Sequence, residues 1–172
     1  MVMSTGSRVV VQVPATSANL GPGFDALGLA LDIREELHLW VLAEGGSPEI
    51  RVSGVNAGHF PDDETLLAYR SAVAVFHRIG MQAPPLGLEL VTRIPRSGGL
   101  GGSAAAIVAG VVAANALAGK PLTRAGELEL VAEIEGHPDN VSAALLGGLV
   151  VCVAGRDGLV TSRLPVDPDL RA

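Results

Sequence analysis

Four glycines, Gly98, Gly99, Gly101 and Gly102, surround Leu100 and stand directly ahead of Ser103 and a run of alanine and branched aliphatics. Glycine admits positive φ and lets a ligand approach with no Cβ in the way. Ser103 suits the start of a helix. Such a start presents unpaired N–H groups and the positive end of the helix dipole. A glycine-rich loop feeding into it is an anion cradle, most often for phosphate. No Lys follows the last glycine, so the loop is not a Walker A motif. The same residues would also build a tight turn into a buried helix with no ligand.

A second polar cluster lies at residues 136–140, where His137, Asp139 and Asn140 bring an imidazole, a carboxylate and an amide together. After a helix, such a group can position a polar substrate or orient a nucleophile. It reads equally as a helix stop followed by the cap of the next helix. Glu133 and Glu135 precede it. Beside a phosphate loop a carboxylate can share Mg2+ with phosphate oxygens; otherwise both glutamates are a solvated helix face. Residues 14–25 (PATSANLGPGFD) are turn chemistry, rich in small polar groups able to face a ligand. His38, His59 and His77 match no metal spacing. Ser103 lies in no Gly-x-Ser-x-Gly elbow, which leaves no firm case for a nucleophilic serine.

The elements that must position these groups are legible from periodicity. Residues 8–13 read as a buried strand ended by Pro14, and residues 27–43 alternate as a long strand. Residues 49–53 form a short strand expected to pair back on it. Asp62 and Asp63 open a helix running to about Arg78, stopped by Gly80. A strand at 86–94 leads into the glycine-rich loop. A helix runs from Ser103 to Gly119, and Thr123 caps another over 124–135. A short helix at 141–146 precedes a strand pair, 149–154 and 159–164, joined by a turn at Arg156, Asp157 and Gly158. Strands cluster early and helices late, which makes the class α+β.

Composition narrows the partners. The 172 residues are 48% hydrophobic and 17% charged, enough for one domain with a core. Aromatics are 3%, so that core must be aliphatic. The net charge is −6 with 12 Lys and Arg and no basic cluster, which argues against nucleic acid or an anionic membrane. Cys152, alone in an apolar strand, reads as a small buried hydrophobe. The start has no signal-peptide pattern, and a lone reduced thiol fits the cytoplasm. The charge-free run 98–119 is long enough to span a bilayer. Its Gly and Ala content fits a buried helix better.

Three segments in this order, PATSANLGPGFDALGLAL, RIPRSGGLGGSAAAIVAG and EIEGHPDNVSAALLGG, resemble the homoserine kinases of the GHMP kinase superfamily. The glycine-rich loop identifies only the superfamily; EGHPDN points to the narrower group. The resemblance implies ATP-dependent phosphorylation of L-homoserine to O-phospho-L-homoserine, in threonine biosynthesis. The alternatives are another small-molecule GHMP kinase, or a nucleotide-binding module without catalysis. The implied fold is an N-terminal domain of the ribosomal protein S5 domain 2 type over residues 1–172, with a left-handed βαβ crossover and the family's C-terminal domain absent or largely absent. Such a chain is expected to keep its fold and to be impaired as a kinase.

Residue by residue, the resemblance puts ATP phosphates against Pro95, Arg96, Ser97, Gly98, Gly99, Leu100, Gly101, Gly102, Ser103 and Ala104. Gly102 stands where the family has a first serine of two. Ser103 and Glu133 would hold Mg2+, with Glu135 the second choice. Asn19, Asp25, His137, Asp139 and Asn140 would line the homoserine pocket, with Asn140 and Asp139 the catalytic candidates. Residues 62–69 would lie near the adenine. A homodimer is compatible with the family.

Overall fold

The computed structural model describes residues 3–156 and 158–167. Its organising strand is β2 (Leu27–Val41). β1 (Arg8–Ala18) pairs antiparallel along one edge of β2, Val11 opposite Leu37 and Ala18 opposite Gly28. The other edge of β2 is shared. β4 (Leu86–Thr92) takes one end, with Leu90 opposite Leu37. β5 (Leu149–Gly155) takes the other end, with Val150 opposite Gly28. β3 (Glu49–Gly54) and β6 (Gly158–Leu164) extend the sheet beyond β4 and β5. Asp157, in the expected turn between β5 and β6, lies outside the described residues.

Pro14 does not end β1. The register slips there, from Pro14 opposite Arg34 to Thr16 opposite Ala30. An irregularity absorbs the missing N–H, and the strand resumes beyond it. β3 also departs from expectation. It does not pair back on β2; it runs parallel to β4, Ile50 opposite Leu88. β4 already occupies the edge of β2 that such a hairpin would need. A parallel neighbour requires a crossover, and α1 (Leu67–Arg78) provides it. That helix begins five residues later than its sequence suggests. Asp63 Oδ1 accepts from the N–H and hydroxyl of Thr65, and Asp63 O accepts from Leu66 N. The side chain thereby closes a turn that competes with a helix.

The helices form one layer on the sheet. α2 (Gly102–Leu117) is its centre, packed against β1, β2, α1, α3 (Arg124–Glu135) and α4 (Asp139–Leu146). Twelve of its sixteen residues are buried, which explains why it is apolar all round. Among the described residues no helix is long and apolar enough to cross a membrane. At the end of α2, Asn115 Nδ2 donates to Leu122 O and to Glu127 Oε1, fixing the start of α3. Thr123 accepts from Gly126 N, the expected cap. α4 lies directly on β2 at Gly28. A Cβ there would stand 2.2 Å from Asp139 O. That close approach sets the height of α4, and with it the placement of Asn140.

Candidate active site

The glycine-rich loop joins β4 to α2 and doubles back on itself. Ser97, Gly99 and Gly101 all have positive φ, 60°, 68° and 63°. Leu100 between them is anchored, its carbonyl accepting from Thr16 N at 3.1 Å. The first helical bond is Ala105 N to Gly101 O at 2.9 Å. Among the described residues, no backbone hydrogen bond is donated by the amides of Gly99, Leu100, Gly101, Gly102 or Ser103. Turns that alternate sign in φ aim successive N–H groups into one concavity. Here that concavity opens at the positive end of α2.

The loop forms one wall of a cleft of about 670 Å3. Leu66, Leu67, Leu90 and Ile94 supply an apolar surface, and Asn19, Glu135, His137 and Asn140 a polar one. The polar groups form a chain. Ser103 Oγ donates to Glu135 Oε1 at 2.6 Å. Glu135 Oε1 stands 4.0 Å from His137 Nε2. His137 Nδ1 meets Asp139 Oδ1 at 2.6 Å, and that oxygen also accepts from Asn140 N at 2.7 Å. Asn140 Oδ1 accepts from Thr16 Oγ1 at 2.7 Å. The three sequence segments therefore meet at one place. Gly101 marks it, since a Cβ there would fall 1.9 Å from Thr16 Oγ1 and 3.0 Å from Asn140 Oδ1.

The candidate residues do not all fall in the cleft. Pro95, Arg96, Ser97, Gly98, Gly99, Leu100, Gly101, Gly102 and Ser103 line it, as do Asn19, His137 and Asn140. Ala104 is fully buried behind the loop. Asp25 lies in a neighbouring groove with Phe24, Glu133 and His137, and its N–H donates to Asn19 Oδ1. Asp139 is 1% exposed, its Oδ1 committed to His137 and Asn140, and it is not among the cleft-lining residues. Glu133 pairs with Arg78 away from the loop; Glu135 is the carboxylate in contact with Ser103. Of residues 62–69, Thr65, Leu66 and Leu67 line the apolar side, with Phe60 and Pro61 beside them. Arg96 donates to His59 O and stacks over Phe60.

Two residues of the site escaped the sequence reading, one buried behind the cleft against Asn140 and one in the cleft wall. Thr16 sits inside the polar turn segment, where nothing in the spacing ranks it above its neighbours. Glu35 is 2% exposed and lines the cleft. Burial pushes its carboxyl from 4.5 up to about 7, against the opposing effect of a hydrogen bond with the Ile94 backbone. It falls on the same side of β2 as buried Leu37 and Leu39, so a charge-bearing residue at an inward position was the available signal.

Among the described residues no three His, Cys, Asp or Glu side chains stand together as a metal site. A hard cation here would need ligand oxygens beyond those of the protein. The Ser103 hydroxyl and Glu135 carboxylate beside unused amides fit Mg2+ shared with phosphate.

Residues 67–148 match the model of the GHMP kinases N terminal domain. The chain is 46% identical over 161 residues to homoserine kinase of Moorella thermoacetica, covering 94% of this chain and 53% of that protein. Homoserine kinase of Carboxydothermus hydrogenoformans is 49% identical, with 92% and 51% covered. The crystal structure of homoserine kinase from Cytophaga hutchinsonii superposes with a TM-score of 0.81 at 33% identity, covering 97% of this chain and 55% of that one. The chain spans about half the length of the relatives it matches.

Proposed function

The chain belongs to the GHMP kinases, and on that footing we propose that it is the nucleotide-binding part of an enzyme that transfers the γ-phosphoryl group of ATP to the hydroxyl of L-homoserine. The observation that carries this reading is the meeting of Gly101, Thr16 and Asn140. It brings a loop with unused amides against an amide side chain suited to orient an acceptor hydroxyl.

In this proposal the amides of Gly99 to Ser103 and the start of α2 hold the triphosphate. The apolar side of the cleft takes the adenine. Ser103 and Glu135 are the chain's ligands to Mg2+, which when bound neutralises charge on the phosphates. Asn140 orients the homoserine hydroxyl. Asp139 acts by fixing His137 and the start of α4, while Asn19, Asp25 and His137 contribute the remaining substrate contacts. Transfer then proceeds by positioning and charge neutralisation, without a dedicated carboxylate base, the hydroxyl proton passing toward the γ-phosphate. On this reading the protein serves threonine biosynthesis in the cytoplasm, with L-homoserine and ATP as its partners and a homodimer compatible with the family.

The cleft also suggests how much these 172 residues do alone. Among the described residues Arg96 is the one Lys or Arg that lines the cleft, and it is tied to His59 and Phe60. No other described cleft-lining residue is a Lys or Arg that could hold a substrate carboxylate. We therefore expect ATP binding with weak turnover. The test is ATP titration together with ADP release on L-homoserine, mevalonate and shikimate. Homoserine-dependent release above the other two supports the assignment. Preference for another acceptor makes the protein a different GHMP kinase, and no ATP binding refutes the reading.

A further inference from the structure

Glu35 is the one carboxylate on the core-facing side of β2, in line with Leu37 and Leu39, which are fully buried. The Ile94 backbone beside the carboxyl favours its charged form, against the larger effect of burial. Its Oε2 is buried and has no hydrogen-bond partner. A polar atom withdrawn from water and left unpaired is unfavourable by enough that native structures rarely keep one without use for it. An aliphatic residue at this position would simply extend the row of leucines. Glu35 instead lines the cleft, on the same surface as Leu66, Leu67, Leu90 and Ile94.

We propose that Glu35 is the residue that reads the base of the bound nucleotide, its free carboxyl oxygen forming a hydrogen bond with a polar atom on the purine edge. The apolar residues around it would stack on the ring but do not distinguish one edge from another. A single directed polar group among them does, because a site built around a hydrogen bond rejects a ligand that leaves it unmade. Burial raises the carboxyl to about 7, and in its protonated form it donates through O–H, which suits a ring nitrogen. The inference rests on the kinase reading, because it takes the cleft to be the nucleotide site.

The experiment compares ATP with inorganic tripolyphosphate, which shares the phosphates and has no base. Affinities are measured by calorimetry on the wild-type chain, on Glu35→Leu and on Glu35→Gln. The expected result is that Glu35→Leu weakens ATP about tenfold and tripolyphosphate less than twofold, while Glu35→Gln, which keeps a donor, stays within about threefold of wild type for both. Unchanged ATP affinity in Glu35→Leu overturns the proposal, as does equal weakening of both ligands, which marks a structural role. If Glu35→Leu loses its cooperative thermal melt, the wild-type chain decides with purine riboside triphosphate and 7-deaza-ATP. Weakening by either relative to ATP supports the assignment, and ATP no tighter than tripolyphosphate overturns it. A wild-type chain that binds neither ATP nor tripolyphosphate removes the kinase reading itself and this inference with it.

Discussion

Thr16 Oγ1 donates a 2.7 Å hydrogen bond to Asn140 Oδ1 across 124 residues of sequence, locking the first polar segment to the start of α4. Thr16 is fully buried, so the bond has no water to replace it. Thr16→Val keeps the shape and leaves the Asn140 oxygen unpaired. The expected loss is about 1–2 kcal/mol of stability, read from urea unfolding. Thr16→Ser, which keeps the hydroxyl, should lose less than about half of that. Equal losses in the two variants would mean that the methyl, not the hydroxyl, matters.

Gly101 presses on the same pair. Its φ of 63° and the 1.9 Å that would separate a Cβ at this position from Thr16 Oγ1 make two separate objections to any side chain. The sequence suggests a different reason for this glycine, namely room for the phosphates. The geometry adds a collision with the protein itself. Gly101→Val should therefore unfold at lower urea even with no nucleotide present, by at least about 2 kcal/mol, and should bind ATP weakly or not at all. Wild-type stability with lost ATP binding would restore the ligand clash as the sole cause.

What was legible follows from which forces are local. The strands, the apolar α2, the Thr123 cap and the loop ahead of Ser103 are written in periodicity, capping and glycine placement. The start of α1 differs from its sequence pattern because the Asp63 side chain closes a turn, a choice settled by a few atoms. The partner of β3 depends on β4, over thirty residues later, claiming the edge of β2. The site divides in the same way. Its segments could be identified from the sequence, but Glu135 rather than Glu133 touching Ser103 depends on how the end of α3 meets the start of α2.

That distinction is testable through the cation. Glu135→Gln should weaken ATP binding in the presence of Mg2+ by about tenfold and leave binding in EDTA within twofold, since only the metal-dependent part relies on the carboxylate. Glu133→Gln should match wild type in both, as its charge faces Arg78. Surface pairs of that kind contribute little. Titrating Mg2+ at fixed nucleotide concentration separates the outcomes. A Mg2+ response lost in Glu133→Gln and kept in Glu135→Gln would return the metal role to Glu133.

Glu35 gives the fold a pH signature. Burial raises its carboxyl from 4.5 to about 7, so the folded chain holds this proton more tightly than the unfolded chain does. For a raised carboxyl the contribution to stability is full below the unfolded value of 4.5 and is lost as pH climbs through about 7. Between pH 4 and pH 8 the loss comes to ~3 kcal/mol. Other groups titrate over the same range, so the informative quantity is the difference from Glu35→Gln, which cannot ionise there. Urea unfolding at the two pH values should show wild type falling relative to the variant by that order. A constant offset between the two proteins would mean that Glu35 titrates in the fold as it does in the unfolded chain and that burial does not raise its carboxyl.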